Sequence, residues 1–296
     1  MEDYLIRIIS KEAGVRAIAC LTTGLVNELC ARHGTSPTAA ASFGRVLTGG
    51  ALMGALLKVQ HRIAIKFEGN GPLQKMVVES DSYGHVRGYP SQPTADVRDR
   101  DGKVDIIAGL GELGLLTVVK DMRVKSLTEG VVPLAVGNIS QDLTYYLEQS
   151  EQIPSLVDVG ALPQSDGLVA VAGGLLIQSM PPDGREAVEL IKDRLLEMPP
   201  MEQLLHSGQT PEEILAQLFV GIEYETLEKR NLEFRCSCSL ERSEKALLAL
   251  GYEGIKSLME EEGEALIECH FCHEKYLFER EDLEILLIEI ELDEEA

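Results

Sequence analysis

Two short cysteine pairs carry the chemistry that this sequence can do. Cys236-Ser-Cys238 and Cys269-His-Phe-Cys272 stand some thirty residues apart. Brought together by one hairpin or loop, their four thiolates make a closed tetrahedral donor set, the arrangement in which zinc is held structurally. A bound ion keeps such thiolates deprotonated, and the thiolate is the form that oxidants attack. Two chemistries are therefore open at the same four side chains. One is a structural metal knuckle, which ligand count alone favours. The other is a switch, at which oxidation would remove metal and fold together. His270 and His273 flank the second pair and could each replace a thiolate, but four cysteines already complete a tetrahedron, so both are expected to be spectators. Cys20 and Cys30 stand alone in apolar or helical stretches and are expected to be small buried hydrophobes.

The chain around these residues has 296 residues, enough for two domains or for one large and one small. Hydrophobic residues make up 45%, so a sizeable core is available, and with no Trp and only 5% aromatics that core must be aliphatic. The formal net charge is −22, and residues 231–296 alone hold 19 Asp/Glu against 6 Lys/Arg. So acidic a surface repels phosphate backbones, which argues against nucleic acid as a partner. Met1-Glu-Asp-Tyr-Leu-Ile-Arg lacks the basic start and long apolar core of a signal peptide. The most apolar run, Leu168 to Ile177, is too short to span a bilayer. The expectation is a soluble, cytoplasmic protein with no membrane partner, whose thiols stay reduced.

Pattern divides the chain into three. Residues 1–178 mix strands and helices. Leu5-Ile-Arg-Ile-Ile and Val15 to Cys20 read as strands. Ser36 caps a helix that has Pro37 in its first position and runs through the Ala-rich stretch to Leu57. Strand-like runs follow at Arg62 to Glu68, Lys75 to Ser80, His85 to Tyr89, Lys103 to Ala108 and Leu115 to Val119, then a helix after Asn138 and strands at Val157 to Val159 and Leu168 to Ile177. Meanders with helices set apart predict an α+β sheet-and-helix domain rather than βαβ alternation. Residues 179–231 read as a helical linker. Asp183 and Glu186 are placed as a capping box for one amphipathic helix; Thr210-Pro-Glu-Glu213 is placed as the start of another. Residues 232–296 form the small zinc-binding domain and end in an acidic tail that is expected to fray. Gly109-Leu-Gly-Glu-Leu-Gly114 matches a dinucleotide fingerprint, but a β-rich run follows where a helix is required, so a glycine-rich hairpin turn is expected.

The residues around the cysteines resemble one family. Phe234-Arg-Cys-Ser-Cys-Ser-Leu-Glu-Arg242 and Cys269-His-Phe-Cys-His-Glu-Lys-Tyr-Leu-Phe278 are similar to the zinc domain of the redox-regulated 33-kDa heat-shock chaperones, the 33-kDa chaperonin family. Ser36-Pro-Thr-Ala, Phe43-Gly-Arg-Val-Leu, Gly69-Asn-Gly-Pro-Leu73, Gly84-His-Val-Arg-Gly-Tyr89 and Ala172-Gly-Gly-Leu-Leu-Ile-Gln178 with Met180-Pro181 look like further family blocks, in family order. The resemblance implies a holdase chaperone without enzymatic activity that binds unfolding proteins and uses no ATP. Its reduced form, holding one zinc ion, would have little activity. Oxidants such as hypochlorite, or peroxide with heat, would form two disulfides, release zinc, unfold the zinc domain and adjoining linker, and yield active homodimers. Carried onto this chain, the resemblance makes Cys236, Cys238, Cys269 and Cys272 zinc ligands and redox sensors, with disulfides Cys236–Cys238 and Cys269–Cys272. It implies no catalytic residue.

Two rivals remain at this stage. A zinc-stabilised binding module with a constitutive partner would keep its cysteines reduced under mild oxidants. A thiol–disulfide oxidoreductase would place Cys-x-x-Cys at a helix start after a strand, whereas Cys272 is followed by a strand-like run.

Overall fold

The computed structural model describes residues 2–123, 126–181 and 183–294. The chain forms two compact units, Met1–Arg235 and Cys236–Ala296. The first contains, in order, β1 (Tyr4–Ser10), β2 (Val15–Leu21), α1 (Thr23–His33), α2 (Pro37–Gly54), β3 (Arg62–Gly69), β4 (Lys75–Asp81), β5 (His85–Pro90), α3 (Ile106–Leu110), β6 (Gly114–Asp121), β7 (Thr128–Pro133), α4 (Ile139–Gln149), β8 (Ser155–Pro163), β9 (Val169–Ser179), α5 (Arg185–Glu197), α6 (Met201–His206), α7 (Pro211–Leu218), β10 (Glu225–Asn231) and β11 (Glu233–Phe234). The α+β class read from the sequence is the class observed.

Helix α2 is the axis of this unit. Ser36 accepts a hydrogen bond from the Ala39 amide at 3.1 Å, and Pro37 occupies the first turn. Nearly every residue of α2 is buried, because it lies between two sheets. Small residues allow this close approach: a Cβ at Gly50 would meet Val78 at 2.5 Å, and one at Gly49 would meet Leu143 at 2.5 Å. Removing the cap with Ser36→Ala is expected to cost about 1 kcal/mol of unfolding free energy, read as a lowered urea midpoint at unchanged slope.

One sheet runs β10-β1-β2-β9-β8 and is antiparallel throughout. The other runs β11-β5-β4-β3-β6-β7, parallel only between β11 and β5. At β1, β2 and β9 both faces of the five-stranded sheet are apolar, which is why these strands read as nearly continuous hydrophobic runs. Leu5, Ile18, Cys20, Ala172 and Leu176 face the core around α2. Ile6, Ile8, Val15, Ala17, Ala19, Leu21, Val171, Leu175 and Ile177 face the other way and form a separate core with Val188, Ile191, Met201, Leu204, Leu205, Ile214, Leu215, Leu218 and Phe219. The second set belongs to α5–α7 and the turn that follows, so these helices act as a cover on the outer face of the sheet.

Where α2, β8 and α6 meet, burial pushes the Asp158 carboxyl up to about 6, with Glu202 adding repulsion and Arg45 and Ser140 partly opposing it. A carboxyl raised on folding binds more protons in the folded state between its unfolded value, near 4, and 6. Its contribution is fully present below the lower value and is lost as pH rises through the upper one. Asp158→Asn is therefore expected to raise stability at pH 7 by about 2 kcal/mol and to leave it unchanged at pH 3.5; thermal melts at both values check this.

The structure corrects four local expectations. Lys103 to Ala108 is not a strand: Val104 makes a single bridge to Arg98, Asp105 accepts from the Ala108 amide at 2.9 Å, and that cap starts α3. The Gly109–Gly114 run ends a helix rather than turning a hairpin. Gly111 leaves α3 with φ of 89°, and strand β6 follows, so no helix N-terminus is available for a pyrophosphate. Asp183 and Glu186 form no capping box, since α5 starts at Arg185 with Gly184 as its cap residue. The reason is packing: a Cβ at Gly184 would lie 1.9 Å from the Gly14 carbonyl oxygen. Thr210 and Glu213, in contrast, do form the box. The fourth correction concerns the acidic tail. Glu291 to Glu294 belong to a helix, and Glu295 and Ala296 lie outside the described residues.

The second unit holds α8 (Leu240–Leu248), α9 (Gly251–Glu261), a two-stranded antiparallel sheet of β12 (Ala265–Glu268) and β13 (Lys275–Phe278), and α10 (Arg280–Glu294). Its buried core is Leu247, Ile255, Ala265, Phe278, Leu283, Leu286 and Leu287. Seven side chains are few for some sixty residues, and domains of this size usually need a staple.

Candidate metal centre

The four cysteines converge in the smaller unit. Cys238 immediately precedes Ser239, whose hydroxyl caps α8. Cys269 and Cys272 sit in the turn between β12 and β13. The turn is closed by the Cys269 amide on the Glu274 carbonyl at 2.9 Å and the His273 amide on the Cys269 carbonyl at 2.8 Å, with His273 itself left-handed at φ of 58°. All four sulfurs lie within 4.8 Å of one another. Cys236 Sγ is 3.7 Å from Cys269 Sγ, and Cys238 Sγ is 3.3 Å from Cys272 Sγ. A tetrahedral site with Zn–S bonds of about 2.3 Å separates its sulfurs by about 3.8 Å, so the spacing suits such an ion.

The electrostatics call for a cation. Burial raises the Cys236 thiol, but the Cys238 amide and the neighbouring sulfurs outweigh it and bring the thiol down to about 7. The remaining charge then falls on its neighbours: burial and the adjacent sulfurs push Cys272 well up, and burial pushes Cys238 up despite the Tyr276 hydroxyl. A thiolate is favoured at Cys236 and resisted at Cys238 and Cys272. Four coexisting thiolates need a positive ion among them.

His273 pairs with Glu268 rather than joining the cluster. Tyr276 donates to Cys238 Sγ at 3.2 Å, a supporting contact that spacing did not reveal. The only sequence signal was its position four residues beyond Cys272, in the strand that follows the turn. Cys20 and Cys30 are each 1% exposed. Burial pushes both thiols up, Cys30 to about 11. They stay protonated and unreactive, as small hydrophobes do.

The class thus defined is a two-unit α+β protein whose smaller unit carries a cysteine cluster able to hold a metal ion. The chain belongs to the Hsp33 family, since the family described as Hsp33 protein matches residues 3–279. It is 50% identical over 284 residues to a 33 kDa chaperonin of Geobacter sulfurreducens, covering 96% of this chain and 94% of that one. It is 42% identical to the 33 kDa chaperonin of Bacillus subtilis, with coverage of 95% and 97%. The crystal structure of the 33 kDa chaperonin from Thermotoga maritima superposes with a TM-score of 0.89 at 32% identity, over 98% of this chain and 99% of that one. Among the described residues, no helix is long and apolar enough to cross a membrane.

Proposed function

We propose that this protein is a cytoplasmic, oxidation-activated holdase that binds unfolding proteins without ATP and is silent while reduced. One observation carries the reading: the outer face of the five-stranded sheet is an extended apolar surface whose cover is α5–α7. An apolar surface of that kind, once uncovered, is what unfolded clients recognise. Functionally, residues 1–178 would be the chaperone core, 179–231 the linker that covers it and 232–296 the redox switch.

Cys236, Cys238, Cys269 and Cys272 would hold one zinc ion, which when bound supplies about 10–16 kcal/mol of apparent folding free energy to the small unit. Under hypochlorite, each pair of thiolates would give up two electrons and form one S–S bond, while hypochlorous acid is reduced to chloride and hydroxide. The disulfides would be Cys236–Cys238 and Cys269–Cys272. In the reduced cluster, sulfur contacts of 3.7 Å and 3.3 Å run between the halves, from Cys236 to Cys269 and from Cys238 to Cys272. Local pairing follows once the unit loosens, because loop closure favours partners two and three residues apart. Disulfide sulfur is a poor metal donor, so seven buried side chains are left to hold the fold. Unfolding then spreads into the linker, whose last strand lies just before Cys236 in the chain. Homodimers of the opened form would present the combined surface to clients, and the acidic charge would keep the complexes soluble.

The test is client protection followed by light scattering, using zinc-loaded reduced protein and the same protein after hypochlorite. Suppression of aggregation only after oxidation is expected. Equal protection by the reduced form contradicts the reading.

A further inference from the structure

The linker is fastened to the core by more than apolar packing. Arg45, on the central helix α2, reaches the end of β8 and donates to the carbonyl oxygens of Ala41 at 3.0 Å and Ala161 at 2.9 Å. Its other guanidinium nitrogen donates to Glu202 Oε1 at 3.2 Å. Glu202 is the second residue of α6, so it is the one partner of the three that the linker contributes. The side chains are only 13% and 24% exposed, which removes this pair from the class of surface ion pairs that contribute little.

Glycines let α6 come this close. A Cβ at Gly160 on β8 would lie 2.6 Å from the Glu202 amide nitrogen and 2.7 Å from its carboxylate. A Cβ at Gly173 on β9 would lie 2.8 Å from Leu205. The helix is thus seated on a shelf free of side chains, with Met201, Leu204 and Leu205 buried against the sheet. When α6 lifts, Arg45 keeps its carbonyl partners but loses Glu202. Breaking a largely buried ion pair costs more than breaking an exposed one, although Asp158 keeps part of the attraction on Arg45, so opening is resisted at this point.

We propose that the Arg45–Glu202 pair on the Gly160 shelf is a second latch on the client surface, one that holds α6 down independently of the cysteines and sets how readily the linker opens. The latch rests on reading α5–α7 as the cover of the client-binding face. Arg45 and Glu202 act in it as positioning residues. Disulfide formation in the small unit does not itself break this pair, so the latch sets how far the unfolding that starts there spreads into the linker. Weakening the latch eases that spread without altering the thiols.

The experiment is amide hydrogen exchange on the full-length, reduced, zinc-loaded protein, comparing the parent with Glu202→Gln and Gly160→Ala. Glu202→Gln removes the charge while keeping the shape, and Gly160→Ala keeps both charges but pushes the α6 backbone and the Glu202 carboxylate off the seat. In both, protection across 185–218 is expected to fall about 10- to 100-fold, while α2 and the six-stranded sheet keep theirs and zinc stays bound. The same reduced samples are expected to suppress client aggregation partially. Unchanged protection across 185–218 in both variants overturns the latch. Faster exchange there with no gain in client protection supports the latch and overturns the proposed function of the surface beneath it.

Discussion

Cys272→Ser is expected to leave residues 236–296 unfolded while the two-sheet unit keeps its fold. Serine remains protonated at neutral pH, so the donor set falls to three thiolates. Cys272 is also the most buried of the four cysteines, in the turn that closes the β12–β13 hairpin. Among the described residues the small unit has seven buried core side chains, and a domain of that size is marginal by itself. Losing most of a metal contribution of about 10–16 kcal/mol exceeds any stability such a core supplies. Limited proteolysis should cut freely beyond Arg235 and spare the rest, and metal analysis should find less than one zinc per chain. A variant that resists protease throughout and holds no metal would show that the unit needs no staple.

The second large effect is expected from Ile191→Asp. Ile191 on α5 is fully buried against the outer sheet face. An aspartate there loses the apolar contacts and buries an unpaired charge, a combination that costs more than about 4 kcal/mol. The core around α2 is a separate cluster and does not depend on this side chain, so the linker should lift while the sheets survive. Reduced Ile191→Asp is expected to bind a hydrophobic dye strongly and to protect clients without oxidant. If the variant is folded, dye-negative and as silent as the parent, the outer face is not the client surface.

Much of this arrangement was legible in the residues because its causes are local. Ser36-Pro37 and Thr210-Pro211 start helices with caps that need only neighbouring atoms. The cysteine spacing names its own donor set, and the structure brings those four sulfurs together. What escaped notice depends on partners far along the chain. Helix α1 has no side-chain cap of its own; the amides of Gly24 and Leu25 donate to Asp3 on the neighbouring strand segment. Strand β10, Glu-Thr-Leu-Glu-Lys-Arg-Asn, has no apolar alternation and is a strand because β1 offers it an edge. Nothing local marks Arg45, whose partner Glu202 lies 157 residues away.

The central claim is that one four-cysteine cluster couples metal, fold and client binding. It is tested most directly by a single oxidation time course on the zinc-loaded protein, in which free zinc, remaining thiols and client protection are read from the same samples. The account predicts that zinc appears as Cys236, Cys238, Cys269 and Cys272 are lost, that Cys20 and Cys30 stay reduced, and that protection rises only in samples that have lost zinc. Protection that rises while zinc remains bound, or complete zinc loss with no protection even after warming, would contradict it.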